Sequence, residues 1–345
     1  MPKSKSRVHV SSDIPEDLML EILRWVTVKS LMRFKCVSKA WLASIQNPLF
    51  TTSYQGGFKG LLLTNFIGIR DKRMDSTQPV NGLICFYDGN RSCIYNIATR
   101  ETMSLPDSTS NCARCDYLLG FDPFHNVYKV FKVCRSLKIE ILTVGVDLSW
   151  RSIDPAPWYS DSTVCYANGC LYWCCYENEG ETREHLLCFN LVQEKFQFIE
   201  KPHKSYAKYG WFPGSNPNLM SCSWPLDEYG YRSRKVRNLC DYNNDAWTKH
   251  EILNYPLGRL YRPMSTLPNG KIVFIERSTS GWKFPMPFYT YDRNNREFKK
   301  CLMSDCPSSS SIASQHILDL YLEAMYYEEN ITPLSCLGSS HIAPK

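Results

Sequence analysis

The 345-residue chain has neither a long apolar run nor a concentrated excess of one charge. Its most apolar stretch, LLLTNFIGI at 61–69, is far shorter than the roughly 20 residues that cross a bilayer. No apolar segment typical of a secretory signal precedes Asp13. The net charge of +6 is small and dispersed, whereas a nucleic-acid-binding surface needs a focused basic patch. We therefore expect a globular protein of the nucleus or cytoplasm, with neither a membrane nor a nucleic acid as its partner.

The common signatures of catalysis are also missing. The sequence contains no GxSxG motif, no P-loop and no Rossmann glycine pattern, and it has only seven His. Its 16 Cys are expected to be reduced, buried and inert inside a cell. The CxxC pair of Cys112 and Cys115 has no second pair at zinc-finger distance. His185 and Cys188 lie three residues apart in a predicted strand and so face opposite sides.

A further group of cysteines, Cys170, Cys174 and Cys175, alternates between the two faces of another predicted strand, so the three thiols are not expected to meet at one metal. From these patterns we predict no catalytic residue, no metal site and no cofactor.

What the sequence does contain begins with residues 13–50, which form three apolar, helix-like pieces. The first starts at Pro15 and places Leu18, Ile22 and Trp25 on one side at i, i+4 and i+7. The third has Ser38 as its expected N-cap and is predicted to end at Pro48. A segment this short cannot bury a stable core alone, so we predict that another protein covers its apolar positions.

The same segment resembles an F-box, whose usual pattern reads roughly LPxDLxxEILxRLPVKSLxRFRCVCKxWxxLIxxPxF. Six blocks match in order: Ile14-Pro15, Asp17-Leu18, Glu21-Ile22-Leu23, Val28-Lys29-Ser30-Leu31, Arg33-Phe34-Lys35-Cys36-Val37 and Lys39-Ala40-Trp41. The sequence departs from the pattern where Trp25-Val26-Thr27 replaces RLP and Ser38 replaces Cys. The resemblance implies docking to a Skp-type adaptor. The expected contacts or their immediate support are Ile14, Pro15, Leu18, Ile22, Leu23, Val26, Val28, Leu31, Phe34 and Trp41.

After residue 58 the helical period gives way to short alternating strands with a repeated turn signal. The anchors of this signal are Asn or Asp residues at the end of an apolar strand, namely Asn96, Asp147, Asn190, Asp241 and Asp292. They recur about every 50 residues, which is typical of propeller blades of the kelch kind. Asn-Gly pairs at 81–82, 168–169 and 269–270 mark tight hairpins at about twice that period.

This second region is similar to the F-box-associated domain of plant F-box proteins, which is related to kelch propellers. The similarity rests on NGLICFYD at 81–88, LGFDPFHNVYKVFKV at 119–133, SWRSI at 149–153 and CFNLVQEKFQFI at 188–199. Five repeats fill residues 81–302. A sixth blade is expected from pairing a strand at 59–66 with one at 315–327, which would also cover the sheet edges. Five or seven blades remain open.

The expected architecture is therefore multidomain, α plus all-β: a three-helix F-box at 12–52 and a kelch-like propeller at 58–335. Residues 1–11 and 336–345 are expected to be disordered tails. Six aromatics between or outside the repeats are candidates for contact with a substrate, namely Trp158, Tyr159, Trp211, Phe212, Trp224 and Trp282.

The resemblances imply a non-catalytic substrate adaptor of a ubiquitin ligase. It would bind a Skp-type adaptor directly, a cullin and a RING subunit indirectly, and a protein substrate of unknown identity. Two alternatives remain open from the residues. One is a lectin-like or small-ligand-binding propeller with a degenerate F-box. The other is a kelch-type oxidase, which needs a copper site with Tyr, His and Cys together.

Overall fold

The computed structural model describes most of the helical region and the strands that follow it. The described residues are 15–57, 59–64, 68–69, 72–73, 75–108, 115–134, 138–153, 165–176, 184–199, 209–213, 219–223, 233–241, 246–247, 251–254, 260–267, 269–277, 287–302 and 323–338.

The N-terminal module has four helices rather than the predicted three. They are α1 (Glu16–Leu23), α2 (Val28–Phe34), α3 (Lys39–Gln46) and α4 (Pro48–Ser53). The predicted N-cap of α3 is confirmed, because the Ser38 side chain accepts a hydrogen bond from the Trp41 amide at 3.2 Å. Pro48 does follow the end of α3, but it also begins α4. Asn47 caps this helix, and the missing N–H of a proline costs nothing in a first turn.

The rest of the described chain is β-structure, closed by a short 3-10 helix at Leu334–Cys336. The strands before the first four-stranded sheet are β1 (Lys59–Thr64), β2 (Gly68–Ile69) and β3 (Lys72–Arg73). The first sheet contains β4 (Asp75–Ser76), β5 (Leu83–Asp88), β6 (Arg91–Asn96) and β7 (Thr102–Ser104). The second sheet contains β8 (Cys115–Asp122), β9 (Val127–Cys134), β10 (Ile139–Thr143) and β11 (Arg151–Ile153). The third contains β12 (Cys165–Ala167), β13 (Cys170–Tyr176), β14 (Glu184–Asn190) and β15 (Lys195–Ile199).

Two further sheets and one last strand follow. The fourth sheet has β16 (Tyr209–Pro213), β17 (Leu219–Ser223), β18 (Ser233–Asp241), β19 (Ala246–Trp247) and β20 (Glu251–Asn254), with β19 and β20 both paired to β18. The fifth has β21 (Leu260–Thr266), β22 (Ile272–Arg277), β23 (Pro287–Asp292) and β24 (Glu297–Leu302). The last strand is β25 (Glu323–Glu328).

Pairing between the start and the end of the β region is confirmed. β1 pairs with β25 in antiparallel register, from Lys59 opposite Glu328 to Thr64 opposite Glu323. The predicted strands were longer, and their remaining residues, 65–66 and 315–322, lie outside the described residues. Sheets that follow one another along the chain also contact each other. The contacting strands are β5 with β8, β12 with β16, β16 with β21, and β21 with β25.

The repeated turns owe their shape to the anchor side chains. Oδ1 of Asn96 accepts from the amides of Ala98 and Thr99, and Asn190 and Asp292 bond the corresponding amides of their own turns. The residue four positions after each anchor has a positive φ: Arg100 (62°), Glu194 (53°) and Arg296 (56°). The anchor role is thus confirmed for Asn96, Asn190 and Asp292.

The other two anchors differ. Asp147 accepts the Thr143 amide at 2.7 Å instead of amides that follow it, in keeping with the shorter spacing of this copy. The turn after Asp241 falls in 242–245, outside the described residues. Asp122, which was not recognised as an anchor, bonds the amides of Phe124 and His125 in the repeated manner.

The Asn-Gly pairs are of two kinds. Both residues have positive φ at Asn81-Gly82 (45° and 81°) and at Asn168-Gly169 (47° and 70°), as a two-residue hairpin of type I′ requires. At 269–270 only Gly270 (80°) lies in the left-handed region, and its amide bonds the Leu267 carbonyl at 2.8 Å. This third pair is therefore a wider turn.

The described apolar core lies mainly between neighbouring sheets. One cluster joins the first and second sheets, with Leu83, Ile94, Leu119 and Val130 all at most 1% exposed. Another joins the second and third sheets around Phe131 and Phe189, whose rings meet edge to face with centroids 4.6 Å apart.

Candidate protein-docking site

The helical module divides its apolar residues between two faces. Leu18, Ile22 and Trp25 form an exposed stripe along α1 and the turn that follows, being 57%, 57% and 64% exposed. Their spacing of four and three residues places them on one side of the helix. Large apolar side chains that are singly exposed need no explanation, whereas a continuous apolar stripe is a candidate surface for contact with another protein.

Leu18 and Ile22 belong to the predicted adaptor residues, whereas Trp25 does not. The remaining predicted residues lie behind this stripe or beside it. Leu23, Val28 and Leu31 are at most 2% exposed. Val26, Phe34 and Trp41 are half-buried, and the rings of Phe34 and Trp41 lie 5.2 Å apart. Pro15 is exposed at the start of α1, and Ile14 lies outside the described residues. Direct adaptor contact through any of these residues stays a prediction.

The buried face of the module is covered by the chain itself. Ile331, which is 2% exposed, packs in one cluster with Leu23, Val28, Leu31, Ile45 and Phe50, and Ala98 packs against this cluster. The expectation that another protein covers all the apolar positions is therefore wrong for this face, because a segment far along the sequence lies on it. Among the described residues of the module, Leu18, Ile22 and Trp25 remain exposed as a stripe along α1, while Val37 and Leu49 are exposed elsewhere on it.

The turn between α1 and α2, where the sequence departs from the F-box pattern, is contacted by the residues that follow α4. The Tyr54 hydroxyl donates to the Val26 carbonyl at 2.6 Å, and the Gln55 amide donates to the Arg24 carbonyl at 3.0 Å. Gly56 lies so close to the Val26 carbonyl that a Cβ would collide with it. Burial, reinforced by nearby Glu329, raises the pKa of Tyr54 to about 12, so its hydroxyl keeps its proton at neutral pH.

We call residues 329–338 the closing segment, since it follows β25 and crosses the turns of the first two sheets. Nδ2 of Asn96 donates to the Asn330 carbonyl at 2.8 Å, and Nδ2 of Asn330 donates to the Asn81 carbonyl at 2.7 Å. The Leu334 amide donates to Oε2 of Glu101 at 2.8 Å.

The far end of the closing segment reaches the second sheet. Leu337 and Gly338 approach Gly145 closely enough to leave no room for a Cβ on either glycine. The boundary of 335 predicted for the β domain thus falls inside the helix at Leu334–Cys336.

Charged residues link the turns of the second and third sheets. Arg151 makes a two-pronged contact with Glu194, at 3.1 and 3.0 Å, and also bonds Asp147 at 3.1 Å. Nζ of Lys129 bonds Glu194 at 2.9 Å and lies 3.2 Å from Asp122. These partners lower the pKa of the Glu194 carboxyl, through hydrogen bonds from Arg151 first and Lys129 second, against the opposing effect of burial.

The candidate substrate aromatics are only partly placed. Trp211 and Phe212 lie in β16, and their side chains are outside the described residues. Trp158, Tyr159, Trp224 and Trp282 lie outside them altogether. Their contact with a substrate stays a prediction.

The described residues offer no evident catalytic chemistry. No group of three or more His, Cys, Asp or Glu within them is arranged to hold a metal ion. Cys115 faces Cys134 across β8 and β9 with 3.1 Å between the Sγ atoms, whereas Cys112, its CxxC partner, lies outside the described part. Burial raises the pKa of the Cys85 thiol, which keeps it protonated and unreactive. No described helix is long and apolar enough to cross a membrane.

Fold and site together define a two-part protein: a helical module that presents an apolar stripe, fused through its other face to a domain of antiparallel sheets. Comparison with known families supports the same division into two parts. A family model described as "F-box domain" matches residues 11–53, and one described as "F-box associated beta propeller domain" matches residues 64–323. The chain belongs to the plant F-box proteins that carry this associated β-propeller domain. Proteins of this kind are typically non-catalytic adaptors.

Several relatives of this chain are proteins of Arabidopsis thaliana. F-box protein At5g65850 is 25% identical, and the match covers 93% of this chain and 91% of that protein. At3g52320, provisionally named an F-box protein, is 29% identical over 60% of this chain and 64% of its own length. The chain thus spans somewhat less than two thirds of the length of that relative. A chain from a nidogen/laminin complex reaches a TM-score of only 0.42 at 10% identity, with 68% of this chain and 82% of that chain covered, which is too distant to carry a conclusion.

Most of this site follows from the sequence, but its covered face does not. The helix periodicity identifies the Leu18, Ile22 and Trp25 stripe, whereas nothing in the local pattern around Ile331 connects it with Leu23. The turn at Asp122 did carry a signal in the sequence, because Asp122 ends the apolar strand LLGFD at 118–122 just as the other anchors end theirs.

Proposed function

We propose that this protein is the substrate-recognition subunit of a Skp/cullin/F-box ubiquitin ligase. The observation that carries the proposal is the exposed stripe of Leu18, Ile22 and Trp25 on a module whose opposite face is sealed. A stripe of this kind suits a Skp-type adaptor, which would bring the cullin and RING subunits with it. The protein itself would do no chemistry, and would act by raising the effective concentration of a substrate lysine near the charged conjugating enzyme.

Support for a working module comes from the turn at Trp25-Val26-Thr27. The family's pattern has a proline where this chain has Thr27. If the turn were no longer rigid without that proline, the F-box would be expected to be degenerate. Tyr54, Gln55 and Gly56 instead hold the Arg24 and Val26 carbonyls in place. This bracing favours the ligase function over a ligand-binding propeller with a vestigial F-box.

We further propose that the β domain is a kelch-like propeller of six blades. Five sheets of four or five strands are described, and β1 with β25 supplies the start of a sixth. The order of contacts from sheet to sheet, running from β5 and β8 to β21 and β25, supports this count. Pairing the first strand with the last covers one edge of each of these two strands, and the outer strands of the blades remain as short edges.

The substrate is proposed to bind at the edge of the sheets opposite the F-box. Successive antiparallel strands place their connections alternately at two edges. The turns at 81–82 and 97–101 lie at the edge that the closing segment and the F-box occupy, and the turn at 168–169 takes the equivalent position in the third sheet. By the same alternation, connections 154–164, 224–232 and 278–286 leave from strand ends at the other edge. Those connections contain Trp158, Tyr159, Trp224 and Trp282.

The adaptor assignment is tested with the double variant Leu18→Ala and Ile22→Ala. Burying each side chain against a partner is worth about 1.5–3 kcal/mol, so their joint loss should abolish capture of a Skp-type adaptor in a co-purification experiment. The matched control is Leu49→Ala, since Leu49 is 79% exposed but lies outside the stripe. Undiminished adaptor capture by the double variant would remove the basis of the assignment.

A further inference from the structure

The core of the F-box is formed by its own helices together with the closing segment, which comes from the opposite end of the described chain. Ile331 is as deeply buried as Leu23 and Val28, at 2% each, and belongs to their cluster. The helices alone are too small to bury a core of this kind unaided. The F-box core therefore includes a residue that is separated from the helices by almost the whole β domain.

The position of Ile331 is fixed by the β domain and not by the F-box. The strand pairing of β1 with β25 ends at Glu328, three residues before Ile331. Asn96 then holds the carbonyls of Asn330 and Thr332, at 2.8 and 3.4 Å, on either side of Ile331. Leu334, on the next turn of chain, is buried in the cluster between the first and second sheets.

The linker that leads from the F-box to β1 meets the same segment. Gly57 faces Glu329, since a Cβ on Gly57 would lie 3.3 Å from the Glu329 carbonyl oxygen. Lys35 of the F-box interacts electrostatically with Glu101, which also accepts the Leu334 amide. The helices, the linker and the first sheet thus all contact the closing segment.

From these contacts we propose that the closing segment makes folding of the F-box conditional on the pairing of β1 with β25. Until β25 has paired, Ile331 has no fixed position and the cluster around Leu23 and Leu31 lacks one side. A chain with an incomplete β domain would then present no folded F-box. Adaptor capture, which rests on the function proposed above, would be limited to chains whose β domain is complete.

The experiment compares two anchor variants in the full-length chain. Asn96→Asp keeps the oxygen that shapes its turn but loses the Nδ2 donor to the Asn330 and Thr332 carbonyls. Asn190→Asp makes the same change in the third sheet, where the anchor shapes its own turn by the same contacts. Hydrogen exchange is followed at the amides of α1–α3 and of β13–β14.

We expect Asn96→Asp to accelerate exchange in α1–α3 while β13 and β14 keep their protection, and Asn190→Asp to leave α1–α3 unchanged. If only a tenth of the molecules keep a folded F-box, the apparent Kd for a Skp-type adaptor should rise about tenfold. Unchanged exchange in α1–α3 of Asn96→Asp, or equal acceleration in both variants, would overturn the proposal.

A second variant guards against loss of the whole fold. Ile331→Asp should accelerate hydrogen exchange in α1–α3, whereas Ile331→Val should leave exchange there as slow as in the unaltered protein. Ser335→Asp, at an exposed position of the same segment, should have no effect on this exchange. F-box helices that stay protected in Ile331→Asp would contradict the proposal. Failure of the unaltered protein to bind any Skp-type adaptor would count against the proposed ligase function alone, because the exchange results do not depend on it.

Discussion

At the scale of single residues, the departure from the F-box pattern at Thr27 is the most informative. Thr27 is the N-cap of α2 with φ of −62° and ψ of 150°, which is the backbone geometry of a proline. Its hydroxyl donates to the Ser30 hydroxyl at 3.2 Å, a contact between side chains that caps no backbone amide of the helix. Thr27 thus differs from the family's proline in residue type but has a backbone conformation that proline also adopts.

We therefore predict that Thr27→Pro stabilises the protein by about 0.4–1 kcal/mol, because it restricts the unfolded chain at a position already compatible with proline. The measurement is the free energy of unfolding in urea. Thr27→Ala is the control, since it also loses the Ser30 contact but leaves φ free, and it should be destabilising. A Thr27→Pro variant less stable than Thr27→Ala would show that the turn does not accept the family's residue.

Glu194 provides a prediction for pH dependence. Its folded pKa is lowered by Arg151 and Lys129, so its contribution to stability is complete above the pKa of the unfolded chain, near 4.3, and is lost as the pH falls through the folded value. Glu194→Gln should therefore cost about 1 kcal/mol at pH 7, and the difference from the unaltered protein should shrink below pH 4.

Urea unfolding at pH 7 and at pH 3.5 measures this difference. Gln193→Ala, at the exposed neighbouring position, is the control and should show the same small effect at both pH values. A loss of stability in Glu194→Gln that is as large at pH 3.5 as at pH 7 would mean that the residue acts through packing and not through its charge.

At the scale of elements, the repeated turn explains why the repeats could be recognised from the sequence. Asn96, Asn190 and Asp292 bond the amides two and three residues ahead, and the chain then passes through the left-handed region at the fourth residue. This geometry restricts the residue type at the anchor to Asn or Asp, whereas the fourth position holds Arg100, Glu194 and Arg296, which are of two types. The period is therefore visible through one residue in each repeat.

A residue with a side chain in the left-handed region is strained by about 1–2 kcal/mol, which glycine avoids. We therefore predict that Arg296→Gly, at φ of 56°, stabilises the protein or leaves it unchanged. Glu297→Gly, one residue later at the start of β24, should instead cost about 0.5–1 kcal/mol. Thermal unfolding of the two variants gives the comparison, and a lower Tm for Arg296→Gly than for Glu297→Gly would contradict the strain argument.

The elements also set the limit of what the sequence could predict. Hydrophobic periodicity places α1–α3 and most strands, and the pairing of β1 with β25 follows from the need to cover sheet edges. The fourth helix was missed because Pro48 was interpreted only as a stop, although it also suits the start of a helix. The contact of Ile331 with Leu23 and Leu31 was missed because contacts between distant segments leave no local pattern.

At the scale of the whole molecule, the closing segment makes the F-box and the β domain parts of one packed structure. Ile331 lies in the F-box core, and Leu334, three residues later, lies in the core between the first two sheets. A flexible linker would let the substrate sample many distances from the conjugating enzyme. Under the proposed ligase function, a packed junction would instead hold the substrate near a narrower range of positions, which would raise its effective concentration only for lysines within that range.

This arrangement predicts that the two proposed docking surfaces act independently once the protein is folded. The stripe of Leu18 and Ile22 and the connections that contain Trp158 and Trp282 are assigned to opposite edges of the sheets, and no ligand can couple sites whose conformations it does not change. Trp158→Ala and Trp282→Ala should therefore leave the Kd for a Skp-type adaptor unchanged within about twofold, while they weaken substrate capture from cell extract. Leu18→Ala should do the reverse. Calorimetry with the purified adaptor measures the first effect, and an adaptor affinity that falls with either Trp variant would mean that the two edges are energetically coupled.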